Sequence, residues 1–332
     1  MEQLIHADSN RAEVGMITDF RQFDAQIHHN CELADNTYSL EMAVGAWQKE
    51  KIMRGDYIYI DGTEFGGIVS SVTKNTTNDT VTIKGPLWRA LLAMRIIFPP
   101  EGTAYKVYSG IEANAMIADV IGTDYVSLFT VSDIDTETSI YHSFRYQTKL
   151  AGLSKALNKV GFTLSCIYDA TIQRVRVQAR RIVDYSDYSD ISSDLGIGLS
   201  VGVGRVDDYN HIIGLGSGEL ENRMVRELWM QDGEIYRVRP AAISESKLRS
   251  LTFDYPNAES ENELYSSMSD ALLEYAAMSS ASVDLTDFQL NLQLDDIITT
   301  IDRDLGITAK KSISQRVLTI NRQGTVYRTE VE

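Results

Sequence analysis

Between Thr37 and Lys84 apolar and polar residues alternate in short runs. Tyr38, Leu40 and Met42 are separated by Ser39 and Glu41, and the same alternation recurs over 56–60, 67–72 and 80–84. A period of about two bounded by turn-forming residues predicts half-buried antiparallel strands joined by hairpins. The turn signals here are Asp61-Gly62, Gly66-Gly67 and Asn78-Asp79. From Gly85 to Arg95 the apolar spacing lengthens to three and four, with Pro86 near the start, which predicts a short helix ending before Pro99-Pro100. Residues 1–100 thus read as a first β-barrel module.

The pattern changes from about residue 105. Ala113, Met116, Ile117, Val120 and Ile121 form one helical stripe, and Leu150, Leu153, Leu157 and Val160 form another. Each stretch ends at a glycine, Gly122 or Gly161, as helices often do. Phe162–Tyr168 and Arg174–Ala179 predict a hairpin around 169–173. Together these make an inserted α+β domain over 101–195, closed by an acidic Tyr/Ser-rich connection at 182–194. Strand-like texture returns over 198–203, 209–215, 228–229 and 235–238. A long amphipathic helix follows over 257–278, with Leu264, Met268, Ala271, Leu272, Tyr275 and Ala276 on its stripe and its acidic residues weighted toward the first turns. That gives a β segment plus helix over 196–282. A closing β module, 283–332, carries strands at 288–294, 297–302, 312–320 and 325–330, with Asn321–Gly324 as a turn, and is expected to complete a second barrel. The fold class is β-rich α+β: two small β-barrel domains, an inserted α+β domain and a further helical segment.

Charge narrows the function. Thirty-one Lys and Arg face 47 Asp and Glu, a formal net charge of -16. A protein that reads nucleic acid by neutralising phosphates needs clustered cations, so that class is disfavoured. No window approaches the roughly 18 consecutive apolar residues that cross a bilayer as a helix, and the N-terminus has no basic-then-apolar leader pattern. Five prolines in 332 residues disfavour a Pro-rich linker. The two cysteines, Cys31 and Cys166, are far apart and form no Cys-x-x-Cys, so both are expected reduced and buried.

A search for chemistry finds no constellation. His6, His28, His29, His142 and His211 have no partner at metal-ligand spacing, and the neighbours His28 and His29 are expected on opposite faces of a strand. There is no Gly-x-Ser-x-Gly elbow. The string Gly214-Leu215-Gly216-Ser217-Gly218-Glu219 lacks a P-loop ending and reads as a strand turning against neighbouring backbone. The acidic run spaces Asp184, Asp187 and Asp190 by three, unlike a calcium loop. Glu219 and Arg223, four apart, suit a local ion pair if their segment is helical. No catalytic, cofactor or metal residue is expected.

Asn210-His211-Ile212-Ile213-Gly214-Leu215-Gly216-Ser217-Gly218-Glu219-Leu220-Glu221-Asn222-Arg223, continuing into Leu228-Trp229, resembles the Asn-His-Leu-x-x-Leu-Gly-x-Gly-Glu-Leu-x-x-Arg segment of siphophage tail proteins of the ReqiPepy type. Gly85 to Pro99, with Arg95, is similar to the helix that closes the early β module in that family. Asp296-Ile297 is similar to the dipeptide that opens its closing module. Trp229, in place of Tyr, and Phe98 before the prolines are departures.

The resemblance implies a baseplate-hub-like virion structural protein of a phage or prophage tail tip, assembled in the host bacterial cytoplasm. It implies a homotrimer whose barrels ring a channel, joining a sixfold tail tube or distal tail protein to a threefold tip with its receptor-binding components. DNA is then only passing cargo, and acidic walls would keep it from sticking. Asn210, His211, Gly214, Gly216, Gly218, Glu219, Arg223 and Arg95 are implied to be structural, and no fused peptidoglycan-cutting domain is expected past Glu332. Two alternatives stay open. A contractile injection-system hub differs only in partners. A carbohydrate-binding or glycoside-hydrolysing tail component would use some of the 17 tyrosines and a cleft lined by Trp47, Trp88 or Trp229, with carboxylates about 5 to 10 Å apart.

Overall fold

The alternating runs of the first hundred residues become eight short strands in two sheets. These are β1 (Ile5–Ala7), β2 (Glu13–Met16), β3 (Gln22–His28), β4 (Thr37–Ala43), β5 (Tyr57–Tyr59), β6 (Gly66–Ile68), β7 (Ser71–Asn75) and β8 (Thr80–Pro86), with helix α1 (Val44–Glu50) after β4. One sheet has the order β2-β1-β5-β6; in the other, β3, β4, β8 and β7 are neighbours in that order. Tyr38, Leu40 and Met42 are buried while Thr37, Ser39 and Glu41 between them are half-buried, as the period requires. The computed structural model describes residues 2–29, 31–185, 190–192, 198–201, 209–231, 234–258, 260–276, 281–284, 292–302 and 307–331. These residues form two units, 1–199 with 283–331, and 200–282.

The run read as one strand over 67–72 is two, because the chain leaves one sheet at Ile68 and enters the other at Ser71. The sheets meet again at this corner, where Gly67 bridges Leu87. A Cβ on Gly67 would lie 1.8 Å from the Pro86 carbonyl oxygen, and one on Gly85 would lie 2.0 Å from that of Ile68. Only glycine lets the backbones approach this closely. The expected helix from Gly85 is corrected here: β8 continues through Pro86, paired with Thr37, and only α2 (Ala90–Ala93) is helical. Proline is tolerated at the end of the strand, where no further ladder donor is needed.

The middle stretch carries β9 (Lys106–Glu112), α3 (Ala113–Ile121), β10 (Phe129–Val131), β11 (Ser139–Phe144), α4 (Lys149–Asn158), β12 (Phe162–Asp169) and β13 (Arg174–Arg181). Helix α3 starts where the Glu112 carboxylate accepts the Ala115 N–H, and α4 where the Thr148 hydroxyl accepts that of Ala151. Gly122 and Gly161 end the two helices with φ of 59° and 77°. The expected hairpin is β12–β13, whose other edge carries β10 in parallel.

Strand β14 (Asp190–Ser192) lies within the acidic connection, whose residues 186–189 and 193–194 are outside the described residues, as are 288–291 of the strand expected at 288–294. The short strands β15 (Gly198–Val201) and β20 (Ala281–Asp284) form a two-stranded sheet. The chain then ends in β21 (Ile297–Asp302), β22 (Ile307–Asn321) and β23 (Gly324–Val331). The sequence reading puts these strands in a second barrel, but β22 pairs antiparallel with β3, from Gln315 opposite His28 to Asn321 opposite Gln22. One sheet therefore runs β14-β21-β22-β3-β4-β8-β7, with β23 also on β22. Ile298, Ile313 and Leu318 share a core with Phe23, Leu40 and Ile83. The β-rich α+β fold class stands, and among the described residues each sheet is an open path rather than a closed barrel.

Buried charges join these parts. Glu64, between β5 and β6, accepts from Arg89 Nε at 3.1 Å and from the Cys166 N–H of β12 at 2.6 Å, while Arg89 Nη2 donates to the Leu164 carbonyl at 2.7 Å. Asp296, fully buried, accepts from Arg180 Nη2 at 2.7 Å, the Val183 N–H at 2.9 Å and the Gln293 N–H at 2.8 Å.

In the second unit β16 (His211–Leu215), β17 (Val225–Gln231), β18 (Glu234–Tyr236) and β19 (Ser250–Asp254) make a sheet in the order β18-β17-β16-β19, with β16 and β19 parallel. Helix α5 (Glu261–Ala276) buries Leu264, Met268 and Leu272 in one cluster with Ile212 and Leu228.

Arg89→Met strands the buried Glu64 carboxylate and is expected to cost about 3–5 kcal/mol of stability. Urea unfolding checks this: the double variant with Glu64→Leu should lose less than Arg89→Met alone, because no unpaired charge remains.

Candidate functional site

The string from Asn210 to Arg223 comprises β16 and the loop into β17. Asn210 ties the strand's entry to the 247–249 segment: its carboxamide oxygen accepts the Arg249 N–H at 2.9 Å and its Nδ2 donates to the Lys247 carbonyl at 2.8 Å. His211 is buried, stacked on Trp229 at 4.9 Å between ring centroids with 15° between planes, and its Nδ1 lies 2.6 Å from the Ser250 hydroxyl. Gly214 faces α5, where an added Cβ would meet Met268 Sδ at 2.2 Å. Gly216 sits against Leu264 and Met224. Gly218 has φ of 99°, and a Cβ there would lie 2.4 Å from the Asn222 carbonyl oxygen.

Leu220–Asn222 is a single 3-10 turn, so the expected Glu219–Arg223 ion pair does not form. Arg223 instead reaches back across the loop, donating from Nε to the Gly216 carbonyl at 3.1 Å and pairing through Nη2 with Asp254 at the end of β19. The loop is too tight for the one-turn helical geometry that would align residues four apart. Glu219 is exposed, and Leu220 stands at the loop tip, 92% exposed. At the start of α5, Arg226 pairs with Glu261; this hydrogen bond holds the Glu261 carboxyl below its ordinary range.

Arg95 lies in the other unit. Its guanidinium sits 5.1 Å from the Tyr125 ring centroid and 4.0 Å from Asp124, the carboxylate that Lys149 also engages at 2.8 Å. Its carbonyl accepts the Lys149 N–H at the start of α4.

The chain brings together one pair that its spacing concealed: buried His6 and Asp56, 3.0 Å apart. Asp56 also accepts the Met53 N–H at 2.8 Å, a structural task. The rings of His28 and His29 are corrected to neighbours, with centroids 5.0 Å apart, because β3 ends at His28 and the chain turns there. No group of three metal-ligating side chains occurs among the described residues. Both cysteines are free and buried, and burial pushes both thiols up. Each tryptophan is engaged: Trp88 is fully buried against Tyr168, Trp47 donates its indole N–H to the Ile52 carbonyl, and Trp229 stacks on His211. Among the described residues no helix is long and apolar enough to cross a membrane.

No protein-family model and no curated protein matches the chain in sequence. Solved structures share its fold over nearly its whole length. It is similar to the 43 kDa tail protein of prophage MuSo2 from Shewanella oneidensis, with a TM-score of 0.63 at 11% identity, covering 100% of this chain and 98% of that one. It is also similar to the tail protein from Neisseria meningitidis MC58, with a TM-score of 0.57 at 10% identity, covering 99% and 95%. At such identities the likeness is one of fold.

Gly214→Val is expected to force α5 off β16 and to destabilise the second unit by about 1–3 kcal/mol, read as a lower unfolding midpoint and faster amide exchange over 261–276. In the native protein neither Cys31 nor Cys166 should react with iodoacetamide at neutral pH, and both should react in denaturant. Rapid native labelling of either would show that its thiol is not sealed.

Proposed function

We propose that this chain is a structural protein of a phage or prophage tail, a tail-tip hub of baseplate-hub type. The observation that carries the proposal is the correspondence of the whole chain, end to end, with two tail proteins whose own lengths it nearly matches. The chemistry agrees, because the residues of the 210–223 string other than Glu219 that carry the resemblance, and Arg95, make structural contacts. On this reading Asn210, His211, Gly214, Gly216, Gly218 and Arg223 shape and brace one hairpin, Glu219 and Leu220 are offered at its tip, and Arg95 braces the start of α4. The task is geometric, carried by extended β surfaces rather than by a polar cluster.

The finer proposal is a homotrimer whose subunits ring a channel. They would adapt a sixfold tail tube or distal tail protein to a threefold tip with its receptor-binding components, in a particle assembled in the bacterial cytoplasm. A heterologous interface repeated three times closes such a ring. Part of the -16 charge would then line the channel, where like charge lets DNA pass without holding it.

Native mass spectrometry with negative-stain imaging tests this on the purified protein, alone and mixed with the candidate tail-tube or distal tail protein. A ring-shaped trimer with a central hole is expected in at least the mixture. A protein that stays a compact monomer in both and binds glycans would overturn the hub. A ring whose lumen is lined mainly by Lys and Arg would overturn the acidic-channel idea alone.

A further inference from the structure

The middle stretch has a face that none of these roles uses. Between the β9–β11 pair and the C-terminal half of α4 lies an open hollow of about 580 Å3, whose lining includes Tyr141, His142, Gln147, Lys155 and Lys159. The two lysines, four apart, lie on one side of the helix end. Among the described residues the lining carries these two lysines and no Asp or Glu, opposite in sign to the net charge of the chain. Lys106 and Lys149 nearby are neutralised by Asp119 at 2.9 Å and Asp124 at 2.8 Å. Lys155, Lys159 and Arg145 have no carboxylate within ion-pair distance among the described residues. Burial first, and then the positive charges of Lys159 and Lys155, hold His142 below its ordinary range, consistent with an uncompensated positive field.

Large exposed side chains lie in the lining at Tyr141, and beside it at Tyr146, next to Gln147, at Val107, opposite Ser143 in the strand pair, and at Phe98 against Tyr146. Tyr141 is 73% exposed, Phe98 66%, Tyr146 62% and Val107 61%. Phe98 and Tyr146 meet edge to face at 6.0 Å, and the Arg145 guanidinium lies 5.5 Å from the Tyr105 ring and 6.0 Å from that of Tyr146. Clustered exposed aromatics mark interaction surfaces, and Tyr and Arg are the side chains that most often dominate them. Strands β9 and β11 pair only with each other among the described residues, so each keeps an outer edge that an extended chain can join.

We propose that this face docks an acidic polypeptide segment of a partner protein, its carboxylates against Lys155, Lys159 and Arg145 and its apolar side chains against Tyr141, Tyr146 and Phe98. Charge complementarity selects an anion, because these unpaired cations lie on a chain of net charge -16. The exposed apolar flank selects a polypeptide over an acidic saccharide, which has no large apolar side chains to seat there. The proposal rests on this surface alone and holds whatever assembly the chain belongs to.

A random library of peptides about 12 residues long, enough to span a strand, is selected on the full-length protein. It is then screened against Lys155→Glu/Lys159→Glu and against Tyr141→Ser/Tyr146→Ser, with Lys155→Gln/Lys159→Gln in reserve should charge reversal impair folding. Peptides lost on both double variants are expected, enriched in Asp and Glu and carrying at least one large apolar residue. Synthesised singly, they should bind the charge-reversed variant about tenfold more weakly or worse. The proposal is overturned if no peptide discriminates, or if those that do are not acidic. It is also overturned if oligogalacturonate binds with the same dependence while peptides do not. Sedimentation showing self-association of the native chain that the variants abolish would make the occupant a second copy instead.

Discussion

A carboxylate can be kept charged inside a protein only when hydrogen bonds replace the water it has lost. Glu64 and Asp296 meet that condition across the parts of the first unit, as Asp56 does within its opening stretch. Glu64 is met by Arg89 and the Cys166 N–H; Asp296 is met by Arg180 and the N–H groups of Val183 and Gln293. Glu64 comes from the opening β-stretch, Cys166 and Arg180 from the middle hairpin, and Asp296 from the start of the closing strands. Apolar contact alone would hold these parts together but would tolerate sliding. A directed set of hydrogen bonds to a buried charge fixes one register, and β22 then lies along β3 with Ile298, Ile313 and Leu318 delivered to the shared core.

The second unit applies the same physics with less charge. Its hairpin loop is held by Arg223 over the loop carbonyls, and its helix lies close to the strand because Gly214 has no side chain to keep Met268 away. A substitution there is felt as a shift of α5, not as the loss of a chemical group.

Charge then does two different things on one chain. The overall excess of acid resists non-specific adhesion, to nucleic acid above all. Against that background the hollow lined by Lys155 and Lys159 holds no carboxylate among the described residues, and a local reversal of sign is what gives a surface selectivity.

The period of two over 37–42 and 80–84, the apolar stripes of α3, α4 and α5, the stops at Gly122 and Gly161 and the hairpin at 162–179 were legible without a structure, because each depends on residues a few positions apart. The contacts of the 210–223 string were not legible from its spacing: Arg223 takes Asp254, 31 residues away, in place of the nearby Glu219. The early helix was misjudged because Gly85 and Pro86 carry local helix-start signals that a long-range strand pairing overrides. His6 with Asp56, Glu64 with Cys166 and Thr319 with Asp24, 295 positions apart, leave no periodic trace. By itself the sequence determined which face of those periodic segments is buried, since hydrophobic periodicity is a property of one segment. Only the tertiary structure decided which neighbour lies against that face, since a strand's edge accepts any partner until buried charge and packing admit one.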